Sequence, residues 1–258
     1  MSGDALAGRR VLVTGASKGL GRVAAEAFAA AGARVLGAGR SADKLNDLLA
    51  TLDPAGGHAI FAVDLLTQAG VAALAAFGQE RFGGFDVILH ALGGGYGFRD
   101  PLPSWEQFET LHRLNLGAGA ELNRLLVPGM AEAGGGRIIH VGSVASTDAI
   151  ASVGYTTIKA ALSGYVRTLG RAMAPRGVVV TGILPGAFYA PENSWRRIEA
   201  TKPEVVADFV RERLPRGYIA EAAEIVPLML FLAGPGASMM GGALVPIDAG
   251  EAVAHVGP

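Results

Sequence analysis

The sequence predicts an α/β fold, a single doubly wound domain with a seven-stranded parallel sheet and helices on both faces. Three observations point there. Short apolar runs alternate along the chain with Ala-rich stretches of helical period, the order that parallel strands joined by helical crossovers require. The first run ends in a glycine turn that opens directly into a helix. Half of the 258 residues are hydrophobic, only 17% are charged and 38 are glycine, a balance suited to a sheet buried on both sides under closely packed helices.

Residues 10–14, Arg-Val-Leu-Val-Thr, make the first strand, and Gly15-Ala16-Ser17-Lys18-Gly19-Leu20-Gly21 turns into a helix that Gly32 stops. The N–H groups of that turn, with the helix N-terminus behind them, offer a seat for a pyrophosphate with no Cβ in the way. Strand two covers 33–38 and is followed by Gly39-Arg40-Ser41 and a helix over 42–52. The end of this strand is where a dinucleotide fold reads the ribose. A carboxylate there selects a free 2′-hydroxyl, whereas Arg40, with Lys18 nearby, suits a 2′-phosphate and favours NADP(H) over NAD(H). Strand three, 58–63, ends at Asp64, placed to accept from an adenine amine, and a helix covers 66–82. Strand four, 86–90, runs into the glycine-rich loop 91–98 with its aromatics Tyr96 and Phe98. Ser104 caps one long helix over 105–130 that carries Asn115, a weak helix former that needs a reason to be there. Strand five, 136–142, delivers Ser143. The helix over 153–173 carries Tyr155 and Lys159, and strand six, 178–184, closes on Pro185-Gly186. Residues 187–215 gather Pro, Trp, Tyr and charges and read as a lid with one or two short helices. A helix over 221–232 and a seventh strand over 243–247 complete residues 1–258 as one domain: core 8–184, lid 185–216, closing helix and strand 217–250.

Composition excludes several functions. Net charge is −1 with no basic block, so nothing suggests nucleic acid or an anionic membrane as partner, and the expected substrate is small. Cysteine is absent, which removes disulfides, thiolate metal sites and a cysteine nucleophile, and no metal is expected. The N-terminus lacks an apolar signal core and no run approaches the length of a spanning helix, so the expectation is a soluble, unprocessed cytoplasmic protein.

The chemistry centres on Tyr155-Thr-Thr-Ile-Lys159. A phenol and an ammonium four residues apart share one helix face and can act on one substrate atom. Tyr titrates near ~10 when unperturbed, and a neighbouring positive charge favours its phenolate, which suits carbonyl/alcohol interconversion.

With Thr14-Gly15-x-x-x-Gly19-x-Gly21, Asp64, Asn115, Ser143, Tyr155-x-x-x-Lys159, Pro185-Gly186 and Ile247-Asp248-x-Gly250 in this order, the chain resembles a classical short-chain dehydrogenase/reductase from about Gly8 to Gly250. The resemblance implies a Rossmann-type domain and an oxidoreductase. Tyr155 is then the proton donor or acceptor, Ser143 hydrogen-bonds the same substrate oxygen, Lys159 contacts the nicotinamide ribose and lowers the Tyr155 pKa, and Asn115 holds a water that connects Lys159 to solvent. It assigns the cofactor to Gly15, Ser17, Lys18, Gly19, Leu20, Gly21, Arg40, Asp64, Leu65, Ala91, Leu92, Gly93, Asn115, Tyr155, Lys159, Pro185, Gly186 and Phe188. It also implies a homo-oligomer, tetramer or dimer.

Three departures stand out. The family's Asn-Asn-Ala-Gly reads His90-Ala91-Leu92-Gly93, which opens the question whether His90 and His140, on adjacent strands, meet. Ser143 precedes Tyr155 by 12 residues, one fewer than expected, which makes Ser146 a rival. The Thr expected five residues after Pro185 is Ala190. Tyr96, Phe98, Val144, Tyr189 and Trp195 are the substrate candidates, with Phe188, Glu192, Asn193, Arg196 and Arg197 near them. That mixture suits a 3-oxoacyl or keto/sugar-type substrate, with the two arginines open to an anionic handle or to solvent. The alternative from another class is a catalytically silent NADP(H)-binding sensor of the same fold. An epimerase or dehydratase normally has a larger C-terminal domain than the few residues after Gly250.

Overall fold

The computed structural model describes residues 6–253. Seven parallel strands form the main sheet: β1 Arg10–Thr14, β2 Arg34–Gly39, β3 Ala59–Ala62, β4 Val87–His90, β5 Gly136–Val141, β6 Val178–Pro185 and a last strand at Leu244–Ile247. Their spatial order is β3-β2-β1-β4-β5-β6 followed by that last strand, so the winding direction reverses between β1 and β4. In such a sheet the crevice at the carboxyl ends of the two strands is where ligands bind.

Alternation along the strands builds two apolar layers. Val11 and Val13 of β1 face α1 Gly19–Ala30, α2 Ala42–Thr51 and the late helix Ala222–Ala233, whereas Leu12 faces α3 Gln68–Phe82 and the helices on the other side. Leu12, Leu36, Ile88 and Ile138 are fully buried in that second layer, each contributing about 2 kcal/mol of transfer free energy. Strands β4 and β6 are buried at every position, as a sheet covered on both faces requires.

Capping sets the helix starts. Ser41 and Thr67 accept backbone N–H groups at α2 and α3, and Ser104 with Gln107 forms a capping box at α4 Trp105–His112. The single helix expected over 105–130 is interrupted. Residues Arg113–Gly117 form a wider π turn before α5 Ala118–Glu132. The cause lies at Asn115, whose Nδ2 donates to Leu111 O at 3.0 Å, the competition with the backbone ladder that makes Asn a poor helix former. The helix α6 Val153–Met173 has the bounds the sequence suggests.

The excursion after β6 holds β7 Phe188–Tyr189, α7 Ser194–Thr201, α8 Pro203–Arg213 and β8 Ala220–Glu221. The sequence leaves one or two short helices open here, and the structure has two; the β7–β8 pairing is not foreseen, since two-residue strands carry no periodicity to detect. These elements share a small apolar cluster of Tyr189, Val206 and Ile219 with Trp195, Ile198 and Phe209. The chain then enters α9 Ala222–Ala233 and β9 Leu244–Ile247, the last strand of the sheet. Among the described residues, no helix is long and apolar enough to cross a membrane.

Candidate active site

At the crevice, the glycine turn is shaped by steric demand. A Cβ on Gly21 would stand 2.5 Å from Gly15 O, and one on Gly15 would stand 3.0 Å from the backbone of Ala91 and Leu92. Gly19 has φ +62° and open space where its Cβ would be. Glycine is thus required at 15 and 21 for close approach and at 19 for its left-handed backbone, and the result is an open cradle at the N-terminus of α1. Leu20 and Leu65 are buried beside it, while Lys18, Arg40 and Asp64 are exposed at its rim.

Arg40 Nη1 donates to Tyr96 OH at 3.4 Å, and Tyr96 stacks on Phe98 with ring centres 5.7 Å apart. Lys44, one turn into α2, pairs with Glu192, and Gly19 N–H donates to Pro191 O at 2.9 Å. The excursion therefore touches both the glycine turn and the helix beyond β2. Neither link was visible in the sequence, because Lys44 and Glu192 lie 148 residues apart.

On the other side of the crevice, β5 ends at Val141, and Ser143, two residues on, starts a short turn over Val144–Ser146. Ser143 Oγ accepts Ala145 N–H at 3.1 Å and the hydroxyl is also hydrogen-bonded to Tyr155. The rival, Ser146, has a buried hydroxyl with no hydrogen-bond partner among the described residues, so Ser143 is the serine that meets the tyrosine. Tyr155 is half-buried as a residue, but its hydroxyl end lies deep enough that burial raises its pKa, with the Ser143 hydrogen bond acting in the opposite direction. Lys159 is fully enclosed. Its Nζ donates to Val141 O at 2.9 Å, lies 5.6 Å from the Tyr155 ring centre, and is lowered by burial to about 8. In this structure burial, rather than the Lys159 charge, has the larger effect on Tyr155.

Asn115 and Lys159 converge on the loop after β4. A Cβ on Gly93 would fall 3.0 Å from Asn115 Oδ1 and 3.2 Å from Lys159 Nζ. The Asn115 amide grips Gly94 on both sides, Oδ1 accepting its N–H and Nδ2 donating to its C=O, each at 3.0 Å. The π turn allows this grip and holds the glycine loop against the catalytic-looking pair.

Beneath the site lies a polar cluster. Thr14, His90 and His140 are register partners across β1, β4 and β5 and so point to one face. The two imidazoles stack at 4.4 Å. Asn123 links them, its Oδ1 accepting from His90 Nε2 at 2.8 Å and its Nδ2 donating to His140 Nε2 at 3.2 Å and to Tyr165 OH at 3.1 Å. Asn123 escaped the sequence reading. Its signal is its place on the apolar stripe of α5, among Leu122, Leu126, Val127 and Met130, where a buried amide needs partners.

Of the substrate candidates, Val144 is buried and Tyr96 and Phe98 stand at the glycine loop. Tyr189 and Trp195 pack inside the excursion: Tyr189 OH donates to Glu199 at 2.6 Å under the Arg196 guanidinium, and Trp195 lies 4.3 Å from Phe209. Arg196 is paired with Glu199 and Glu221, and Arg197 donates to Glu192 O. Asn193 caps α7.

The family model described as enoyl-(acyl carrier protein) reductase matches residues 15–251. The chain is 31% identical over 251 residues to the 3-oxoacyl-[acyl-carrier-protein] reductase FabG of Pseudomonas aeruginosa, covering 95% of this chain and 98% of that one. L-sorbose reductase from Gluconobacter frateurii, solved with NADPH and L-sorbose, superposes with a TM-score of 0.90 at 27% identity, over 98% of this chain and 100% of that chain. A 7α-hydroxysteroid dehydrogenase solved with NADH and 7-oxo glycochenodeoxycholic acid gives 0.88 at 27% identity, over 97% of each chain. The chain belongs to the short-chain dehydrogenase/reductase family. Its class is thereby an oxidoreductase acting between keto and hydroxyl groups.

Proposed function

We propose that the protein is an NADP(H)-dependent reductase or dehydrogenase that interconverts a carbonyl and a secondary alcohol on a small, neutral, polar or amphipathic keto compound. The observation that carries this is the meeting of Ser143, Tyr155 and Lys159 at the carboxyl edge of the sheet, beside the open glycine cradle. The cradle fits a dinucleotide: Gly15, Ser17, Lys18, Gly19, Leu20 and Gly21 would surround the pyrophosphate, Asp64 and Leu65 the adenine, and Ala91, Leu92, Gly93, Pro185, Gly186 and Phe188 the nicotinamide end. When bound, the nicotinamide supplies or takes up the hydride.

Tyr155 gives its proton to the carbonyl oxygen in reduction and removes it from the alcohol in oxidation. Ser143 steadies that oxygen through its hydroxyl. Lys159 keeps a positive charge beneath the site, and Asn115 fixes the glycine loop next to it. Residues 185–216 act as the lid on the 8–184 core. The two arginines open to an anionic handle, Arg196 and Arg197, are already engaged within the chain, which favours a neutral substrate.

The NADP preference rests on Gly39-Arg40, where no carboxylate stands to pair with a free ribose. Replacing Arg40 by Asp should weaken NADPH binding by about a hundredfold while NADH binding changes by less than about fivefold. Equal losses would refute the 2′-phosphate reading. The broader test is fluorescence titration with both cofactors, then cofactor oxidation against keto sugars, other neutral ketones and 3-oxoacyl thioesters. Tight NADPH binding without turnover of any of them would favour a sensor.

We also place the protein in the cytoplasm as a homo-oligomer, a tetramer or dimer. Support for assembly comes from Leu102, Trp105 and Val153, large apolar side chains left exposed around the starts of α4 and α6, at 86%, 81% and 47%.

A further inference from the structure

The segment after β9 holds a carboxyl group that the roles above do not use. Glu251 is buried, with 5% of its surface exposed, and its Oε2 accepts the N–H of Ala187 at 2.5 Å, the first peptide after Pro185-Gly186. The fit leaves no slack: a Cβ on Gly186 would stand 2.4 Å from that same oxygen. Two residues on, Val253 N–H donates to Asp148 Oδ2 at 2.9 Å, within the loop that runs from Ser143 to Tyr155. Between these contacts Asp248 closes the turn, accepting the N–H groups of Gly250 at 3.2 Å and Ala252 at 2.9 Å. The segment thus joins the root of the 187–215 excursion to the loop that carries Ser143.

A buried carboxyl is unfavourable unless it is hydrogen-bonded, and a bond from a peptide N–H to a carboxylate is stronger than one between neutral groups. Its neighbours are held elsewhere, Gly186 N–H by Ile247 O, Phe188 O by Asn193 Nδ2 and Phe188–Tyr189 by the β7–β8 pairing, whereas the Ala187 N–H is held by Glu251, and Ala190 brings no side-chain hydrogen bond where a threonine would. We infer that Glu251 is a positioning residue for the reaction, setting the Gly186–Phe188 backbone relative to Ser143 and Tyr155 by fixing the Ala187 N–H. This rests on the reading that places the nicotinamide against that backbone.

Burial raises the Glu251 pKa, the Ala187 N–H and Arg213 of α8 lower it, and Asp248 and Asp148 raise it. Protonation weakens the bond to Ala187, so Glu251 contributes to the acid limb of the activity profile.

The test compares Glu251→Ala and Glu251→Gln in the full chain. Removing the acceptor should lower kcat by about 10- to 100-fold with a smaller change in KM, and Gln, whose amide oxygen can accept the same N–H, should recover to within about fivefold of wild type. In Glu251→Gln the acid limb of kcat/KM should move to lower pH. Hydrogen exchange of the peptide spanning 186–189 separates this inference from the cofactor reading. NADPH should protect that peptide in the wild type and less in Glu251→Ala. No protection in the wild type overturns the cofactor reading and the inference with it. Protection and kcat that survive Glu251→Ala, with only the melting temperature reduced, make Glu251 a mere anchor and overturn the inference alone. If the Ala variant does not fold, an unmoved acid limb in Glu251→Gln overturns it as well.

Discussion

Replacing Tyr155 by Phe should lower kcat by about a thousandfold and leave the cofactor dissociation constant within about twofold of wild type. The magnitude is that of losing a positioned general acid or base. Phe keeps the ring and its packing, so the change removes one hydroxyl and little else. The local structure should survive the loss, because Ser143 retains its bond to the Ala145 N–H. Direction matters to the pH dependence. Burial raises the Tyr155 pKa, so the hydroxyl stays protonated through neutral pH and is ready to give a proton in reduction. Oxidation needs the group in its proton-accepting form, so the oxidative rate should climb as pH rises towards that raised pKa, while the reductive rate stays level through neutral pH. Steady-state kinetics in both directions, with cofactor titration of the variant, checks all three expectations. Turnover within tenfold of wild type would remove Tyr155 from the proton step.

Much of this site was legible because its parts are local. The glycine turn, the Tyr155/Lys159 spacing on one helix face and the strand ends that deliver Asp64 and Ser143 are each set by a few consecutive residues and by the periods of helix and strand. What escaped reading depends on distant partners or on a break in period. The π turn at Asn115 breaks the helical period, and Asn123, on the apolar stripe of α5, meets His90, His140 and Tyr165, none of them near it in sequence. Glu251 meets Ala187 across 64 residues, and Lys44 meets Glu192 across 148. Tyr189 and Trp195 carry no mark in sequence that distinguishes a residue facing a ligand from one packed inside its own segment. The His90/His140 question lies between these cases: strand adjacency made the meeting conceivable, and the register His90↔His140 together with Asn123 decides it.

That buried pair should make the protein sensitive to mild acid. His140 accepts through Nε2 from Asn123 Nδ2, which requires a neutral ring, and His90 donates through Nε2 to Asn123 Oδ1 while its buried Nδ1 has no partner among the described residues to receive a second proton's hydrogen bond. Burial depresses the His90 pKa from 6.5 to about 4, with the Asn123 bond opposing it. His140 is lowered further by burial, by its neighbour His90 and by the Lys159 charge. In the unfolded chain each would take up its proton near ~6.5. The unfolded state therefore binds more protons than the folded state between those limits, so stability is fully present above pH 6.5 and falls as pH drops towards 4. For His90 the difference of 2.5 pH units corresponds to a loss of about 3 kcal/mol. His90→Asn offers a shorter side chain that can donate towards Asn123 and does not titrate. Denaturant midpoints at pH 7, 5.5 and 4.5 should show the wild type losing about 2 kcal/mol more than His90→Asn over this range, the rest of the loss falling below pH 4.5, whatever the offset between them at pH 7. Carboxylate titration is common to both proteins and cancels in the comparison. Parallel curves would mean that His90 is protonated in the folded state as readily as in the unfolded one, and the neutral stacked pair would have to be abandoned.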